Sequence, residues 1–441
     1  MTMSLVSRLW WRRYLHRNGC PWDELALFQE LAPDQQRVQL AERLLRQVQY
    51  FGRREDALPE WRDAARITDR DELWRIWPQL PIVTKQMLND RFRPDEIKRR
   101  FGCEGRADST GGSTGEPTHF FHDRHMLRAI TAQITYSMLG MGWRPGMPIV
   151  SIWGSERDIG KQVPWKIRLH YSMARQYNVD GYSLDQGTVD RVLSILHRHK
   201  HVAMYGFTSM LEFVAEQVLD RGVAIEPEKV KTAWNGGEIL TETQNQVFRT
   251  AFGVPLLNRY GGRELSTMAC QFSPTAPLTV LRPWLFLEVL DESGKRVEPG
   301  ESGRLIWTST ICRGSPFLRY EVEDWGTFQA PHQCESGIHA LLTIDGRSAG
   351  VVRLPNGMKI NNIYWNHFFK EFREVRQFQV VIRKRGDLHL LLRGERWSRE
   401  REQYFRGTLS NFLHNLPVEI EWVEQIPRTN RGKRIQVIRE S

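Results

Sequence analysis

Apolar positions in the first hundred residues recur at helical spacing. Val38, Ala41, Leu45 and Val48 follow Pro33-Asp34, a combination that favours a helix start, and the chain up to about residue 100 is expected to be mainly helical. Between 149 and 260 the texture changes to short apolar runs that alternate with helical patterns. IVSIW (149–153), VAMYG (202–206), KTAWNGG (231–237) and PLLNRYGG (255–262) read as strands, with helices near 188–199 and 209–221. Strands and helices alternating in this way predict right-handed βαβ units around a parallel sheet covered on both faces. From about 278 to 344 the period becomes two, as in LFLEVLD (285–291) and GRLIWTS (303–309) around the turn ESGK, which predicts a small sheet or distorted barrel. Beyond Arg347, FQVVIRKRGDLHLLLRG (378–394) reads as a hairpin and SREREQYFRGTLSNFLHNL (398–416) as a helix, together a separate α+β domain.

The fold class expected is therefore α/β: a large N-terminal body over 1–345, helical in its first hundred residues, and a small mobile C-terminal domain over 346–441. Length and composition agree with this division. A chain of 441 residues with 40% hydrophobic positions and 16 Trp can bury more than one core, and it is too apolar to be read as disordered. The formal charge of +10 points to an anionic partner without naming one.

The five cysteines, Cys20, Cys103, Cys270, Cys312 and Cys334, are odd in number and form no CxxC pair. They indicate neither a disulfide framework nor a zinc cage, and a reducing, cytoplasmic setting is expected. No stretch reaches 18 consecutive apolar residues, so no membrane span is expected. The Leu9-Trp10-Trp11 cluster among Arg8, Arg12 and Arg13 reads as a basic amphipathic helix packed on the protein's own surface in preference to an anionic membrane face. No zinc-finger, RNP or basic-zipper pattern accompanies the basic residues, and no nucleic-acid partner is expected.

The clearest chemical feature is TGGSTGEPT, Thr110 to Thr118. Its glycines let backbone N–H groups turn toward an anion and its hydroxyls add donors, so the loop suits phosphates, although the G-x-x-x-x-G-K-[ST] spacing of a Walker loop is absent. NGGE (235–238), RYGGRE (259–264) and FLRYEVEDWG (317–326) are each expected at the carboxyl end of a strand in a parallel sheet, the usual ligand edge. Near the chain's end, IPRTNRGKRIQVI (426–438) carries Lys433 in a basic turn. His119 and His122 in HFFHD read as structural. The HRHKH run (197–201) lacks acidic or thiol neighbours at metal-ligand spacing, and Ser109 and Cys103 have no visible base or elbow motif.

Taken in order from Thr110 to Lys433, these segments resemble the adenylate-forming superfamily of acyl-CoA synthetases, adenylation domains and luciferases. Within it the chain resembles the phenylacetate-CoA ligase-like group. LPIVTKQML (80–88), YGFTSMLEFVAEQV (205–218) and YGGREL (260–265) bring it nearest the branch named for capsule and exopolysaccharide clusters. The resemblance implies that a carboxylate attacks the α-phosphate of ATP, giving an acyl-adenylate and pyrophosphate, and that a nucleophile then displaces AMP.

Thr110, Gly111, Gly112, Ser113, Thr114 and Gly115 would cradle the β- and γ-phosphates. Gly236, Gly237 and Glu238, with Tyr260 and Gly261, would line adenine and ribose, and Asp324 would accept from the sugar hydroxyls with Arg347 nearby. Glu264 would help hold Mg²⁺, which suits one carboxylate plus phosphates. Lys433 would meet the charge developing between carboxylate and α-phosphate, and Arg263 stands where Thr commonly meets the AMP phosphate.

The expected partners are ATP, Mg²⁺, a small carboxylic acid and, as acceptor, CoA. The alternative is an amine or hydroxyl acceptor such as a saccharide, or adenylyl transfer to a cofactor without CoA. Three departures from the family pattern matter, the first for phosphate binding and the other two for the choice of acceptor. Glu116 stands where the family loop usually has Lys, Arg263 is typical of the capsule-type branch, and Ala349 replaces the usual hinge Asp, which favours an acceptor other than CoA. A non-enzymatic nucleotide binder is the third possibility, opposed by the joint retention of Glu264, Asp324, Arg347 and Lys433. The helical N-terminal region is expected to offer a homodimer surface, on the resemblance alone.

Overall fold

The computed structural model describes residues 7, 9–11, 13–14, 22–110, 117–153, 164–181, 184–328, 340–347, 352–353, 359–360, 365, 368–369, 371–372, 374–384, 387–413, 415–427 and 437–440. They group into two compact units that do not follow chain order. One takes in Met1–Met147, Met173–Arg175 and Leu257–Ile344, the other Pro148–Ser172, Gln176–Leu256 and Asp345–Ser441.

In the first unit the helix Pro33–Gly52 buries Leu40, Ala41, Leu44, Val48 and Phe51. The expected face is therefore rotated. Val38 is exposed and Leu45 only half-buried, because Leu44 and Phe51 supply the larger apolar surface one position away from the spacing read in the sequence. Trp11 is buried in T-shaped contact with Trp143, ring centroids 4.9 Å apart, so the N-terminal aromatics do pack on the protein's own surface. No helix among the described residues is long and apolar enough to cross a membrane.

A seven-stranded sheet forms the rest of this unit, with strand order 285–290, 302–309, 320–328, 340–347, 278–280, 266–270 and 259–262. The strand Leu285–Leu290 runs antiparallel to Ser302–Ser309 in the register Leu285↔Ser309, as the period-two pattern predicts. A two-stranded antiparallel ribbon, Gly105–Ser109 with His119–Asp123, flanks the glycine-rich loop.

The second unit holds a five-stranded sheet in the order 176–180, 149–153, 202–206, 230–235 and 256–257, parallel through its first four strands. Val150, Ile152, Met204 and Ala233 meet helix residues such as Val192, Leu211 and Val214 in one core, and the near-continuous apolar character of these strands reflects burial on both faces. The helices begin where side chains accept from exposed backbone N–H groups, Asp185 from Thr188 (2.9 Å) and Thr241 from Gln244 (3.3 Å).

The same unit contains the C-terminal segment. Val375–Ile382 and Leu388–Gly394 form the expected hairpin, flanked by parallel strands Val418–Trp422 and Val437–Arg439. The helix Arg399–Phe412, capped by Ser398, packs Phe405 and Leu409 against Trp365, Phe368 and Phe372.

Candidate nucleotide site

The first unit holds Thr110, Tyr260, Gly261, Arg263, Glu264 and Asp324; the second holds Gly236, Gly237, Glu238 and Arg347. Gly111, Gly112, Ser113, Thr114, Gly115, Glu116, Ala349 and Lys433 lie outside the described residues, as does the side chain of Arg347, whose backbone ends the strand Ala340–Arg347.

The neck of the glycine-rich loop is closed by its own ends. Thr110 N–H donates to the Thr118 carbonyl and Thr118 N–H to the Thr110 hydroxyl, both at 2.9 Å. Asn89, on the helix Lys85–Arg91, clamps the far side: its amide donates to the Pro117 carbonyl (3.1 Å) while its carbonyl oxygen accepts from His119 N–H (2.8 Å). Thr110, Pro117, Thr118 and His119 are thereby fixed to one another and to the helix Lys85–Arg91.

RYGGRE and FLRYEVEDWG sit in the antiparallel sheet, at a hairpin and on a central strand, not at the carboxyl end of a parallel sheet as expected. NGGE does follow a parallel strand, Val230–Asn235. The error has a physical origin, since glycine followed by a charged residue signals a turn without fixing the sheet to which the preceding strand belongs.

In the hairpin, a Cβ on Gly261 would fall 2.1 Å from the Ser266 carbonyl oxygen, so only glycine fits. The neighbouring Tyr260 directs its hydroxyl to Asp324 Oδ2 at 2.6 Å. Asp324 reaches this position through a bulge: Arg304 pairs with Trp325 but Ile306 pairs with Glu321, so three residues oppose Leu305, and Glu323 takes φ 65°. Lys85 forms an ion pair with Glu323, and Val83 is laced to the same strand through Arg319 O (3.0 Å) and Glu321 N (2.9 Å). The 80–91 segment thus braces both the glycine-rich loop, through Asn89, and the bulge that presents Asp324, through Lys85.

Glu264 is buried. Its Oε1 accepts from the Tyr320 hydroxyl (3.1 Å), and its main-chain carbonyl lies 2.7 Å from His122 Nε2. A carbonyl only accepts, so Nε2 carries the proton, and Nδ1 is buried with no described partner. Burial holds the His122 pKa below its ordinary value. Arg263 points the other way, donating to the Ser109 carbonyl (3.3 Å) and lying 3.7 Å from Asp108 beside the loop's first residue.

In the second unit Gly237 has φ 74°, and a Cβ on Gly236 would crowd the Tyr205 ring at 3.1–3.2 Å. Glu238 caps the helix Thr208–Asp220, whose own N-cap position is Phe207. Its carboxylate accepts from Ser209 N–H (2.7 Å) and the Ser209 hydroxyl (3.1 Å), so it is engaged within the fold. Trp153 stacks on Phe207 (4.0 Å) and Tyr205 (5.2 Å), and Tyr205 on Trp234 (5.8 Å), a row of rings at the carboxyl end of the parallel strands.

Lys85, Asn89, Tyr320 and His122 were not singled out for these positioning roles by sequence reasoning. The available signal was LPIVTKQML, whose likeness to the family marked the segment but gave no contact for it.

No family model matches the chain. It is similar to a phenylacetate-coenzyme A ligase of Thermus thermophilus, 23% identical over 318 residues that make up 70% of each protein. It is also similar to protein CapK of Staphylococcus aureus, 25% identical over 255 residues, 56% of this chain and 53% of that protein. Among solved structures, 2-hydroxyisobutyryl-CoA ligase in its postadenylation state with 2-HIB-AMP superposes with a TM-score of 0.70 at 17% identity, covering 93% of this chain and 90% of that one. The amide bond synthetase McbA from Marinactinospora thermotolerans gives 0.52 at 17% identity over 74% of this chain and 67% of that one. Sequence relatives and likeness of fold point the same way: the chain is similar in sequence to a phenylacetate-coenzyme A ligase and shares the fold of 2-hydroxyisobutyryl-CoA ligase.

Proposed function

We propose that this AMP-forming ligase activates a small carboxylic acid as its acyl-adenylate and passes the acyl group to CoA. A carboxylate oxygen attacks the α-phosphorus of ATP, the bond to the β-phosphate oxygen breaks, and pyrophosphate leaves. The CoA thiolate then attacks the acyl carbonyl carbon and AMP departs.

The observation that carries this reading is the Tyr260–Asp324 hydrogen bond at 2.6 Å. It fixes a carboxylate displaced from its sheet ladder, where it can accept from vicinal ribose hydroxyls. The pinned neck of the Thr110–Thr118 loop supports phosphate binding, and Arg263 beside it supplies a cation for the α-phosphate. Gly236 and Gly237 would let backbone approach the adenine.

Glu264 fits Mg²⁺ in one respect: one oxygen is held by Tyr320, which orients the other, and a hard cation needs only one or two protein carboxylates when phosphates supply the rest. When bound, Mg²⁺ would neutralise charge on the phosphates. The stacked rings Trp153, Tyr205 and Phe207 offer a flat apolar surface of the kind an aryl acid would contact.

Lys433 would stabilise the charge between carboxylate and α-phosphate. A fixed cation there contributes on the order of 3–4 kcal/mol, so Lys433→Ala should lower adenylate formation by 10²–10³-fold with an unchanged melting temperature. The assay is pyrophosphate release over a panel of aryl, fatty and amino acids, and normal release by the variant would remove Lys433 from the reaction.

A second reading, transfer to an amine or hydroxyl, is favoured by Arg263 in YGGRE and by Ala349 in place of the usual hinge Asp. Free thiol decides between them. CoA transfer consumes thiol in step with pyrophosphate release, whereas adenylate that accumulates with thiol untouched favours another acceptor.

A further inference from the structure

Away from these residues, within the first unit, a cleft of about 350 Å³ is lined by Glu24, Arg43, Arg46, Tyr50, His125, Arg128, Trp284 and Arg313 among others. Its charge is one-sided. Arg43 is ion-paired with Glu24, but among the described residues Arg46, Arg128 and Arg313 have no carboxylate within ion-pair distance. The three come from separate elements: the helix Pro33–Gly52, the helix Arg124–Gly140 and the loop after the strand Ser302–Ser309. The three arginines are exposed at the cleft, and an anion bound between them would relieve their mutual repulsion.

Two further features accompany these exposed arginines. Trp284 also lines the cleft and is 1% exposed, and among the described residues its indole N–H has no hydrogen-bond partner. The backbone that carries Arg313 is also held on every side. Its N–H donates to Asp123 Oδ2 (2.5 Å), its carbonyl accepts from Tyr50 Oη and Arg54 Nη1 (both 3.2 Å), and its guanidinium lies over the Tyr50 ring, 5.5 Å from the centroid. Its stacking on the Tyr50 ring restricts the guanidinium, which then loses less entropy when it binds.

We propose that this cleft is a second anion site, which takes a small molecule bearing a multiply charged phosphate. Planar guanidiniums bind phosphate oxygens through paired N–H donors, which suits them to this class better than to a single carboxylate. The volume lies at the low end of the range for small-molecule sites, enough for a phosphorylated metabolite and too small for an extended polymer.

The test is calorimetric titration of the full chain with inorganic tripolyphosphate at low salt. Four forms are compared: wild type, the double variant R46Q/R128Q, Thr114→Ala in the glycine-rich loop, and Glu24→Gln. Wild type should show two binding phases. R46Q/R128Q should lose one of them, weakened tenfold or more, and T114A should weaken only the other. E24Q, which removes the cleft's carboxylate, should tighten the first phase several-fold, and a gain in affinity cannot come from a damaged fold. Identical isotherms for wild type and R46Q/R128Q would overturn the proposal. So would loss of all binding in T114A alone, or a phase that citrate occupies more tightly than tripolyphosphate.

Discussion

His122 is a neutral group kept neutral by its surroundings. It is 1% exposed, and burial is the largest influence on its pKa. Asp108 and Asp123 favour the imidazolium and Arg106 opposes it, while the Glu264 carbonyl accepts its one proton. The folded pKa therefore lies below the unfolded value of about 6.5. As pH falls through 6.5 the unfolded chain binds a proton that the folded chain does not, so stability present above that pH is lost below it. The slope approaches about 1.4 kcal/mol per pH unit until the folded pKa is reached. Thermal unfolding followed from pH 7.5 to 5 should show this loss in wild type, and His122→Gln, which keeps a donor for the carbonyl but cannot titrate, should show a shallower one. Parallel curves would mean that the imidazole binds its proton equally well in the folded and unfolded chain. HFFHD gave no sign of this arrangement beyond its aromatic setting, because the partner carbonyl is 142 residues away.

At the scale of elements, the short helix Lys85–Arg91 links two parts of the site that are far apart in sequence. Asn89 makes two hydrogen bonds to the flanks of the glycine-rich loop, and Lys85 pairs with the residue before Asp324. Removing the Asn89 amide leaves the Pro117 carbonyl and the His119 N–H to water, which weakens the hold on the described flank of the glycine-rich segment by about 1 kcal/mol. Asn89→Ala is expected to raise the KM for ATP roughly five- to tenfold with kcat largely kept, read from initial rates of pyrophosphate release. An equal fall in kcat and kcat/KM would point to a direct part in the transition state instead.

The elements themselves were legible in the sequence where burial on both faces imposes an unbroken apolar run, as in IVSIW and VAMYG. The edge strand Gln176–Asp180 was not, since of its five residues only Val179 is buried and QYNVD carries no pattern. The same limit applies to YGGRE and EVED. Their local signal marks a turn and a strand, but the bulge that frees Asp324 depends on the register against Arg304 and Ile306, and the contact that brings the two motifs together, Tyr260 to Asp324, spans 64 residues.

For the whole molecule, the grouping of 345–441 with the parallel sheet rests on particular contacts with the helix Thr208–Asp220. Arg393 forms a bidentate pair with Glu216 at 3.1 and 2.8 Å, and Gln377 donates to buried Glu212 at 2.8 Å, which also accepts from Gln244 at 3.0 Å. Buried carboxylates are costly unless paired, so these contacts hold the C-terminal segment at one place. The resemblance implies that this segment, which carries Lys433, moves between the two half-reactions; any such motion must first break the Arg393–Glu216 pair. Reversing one charge sets two carboxylates against each other, and Arg393→Glu should release the segment, seen as faster proteolysis between 345 and 375 and a several-fold slower adenylation step. Reversing both, in E216R/R393E, restores the pair with opposite polarity and should recover most of both effects, with a coupling of about 1–3 kcal/mol across the cycle. If the double variant behaves as the sum of the singles, the pair does not hold the segment, and the buried amides around Glu212 are left as what retains it.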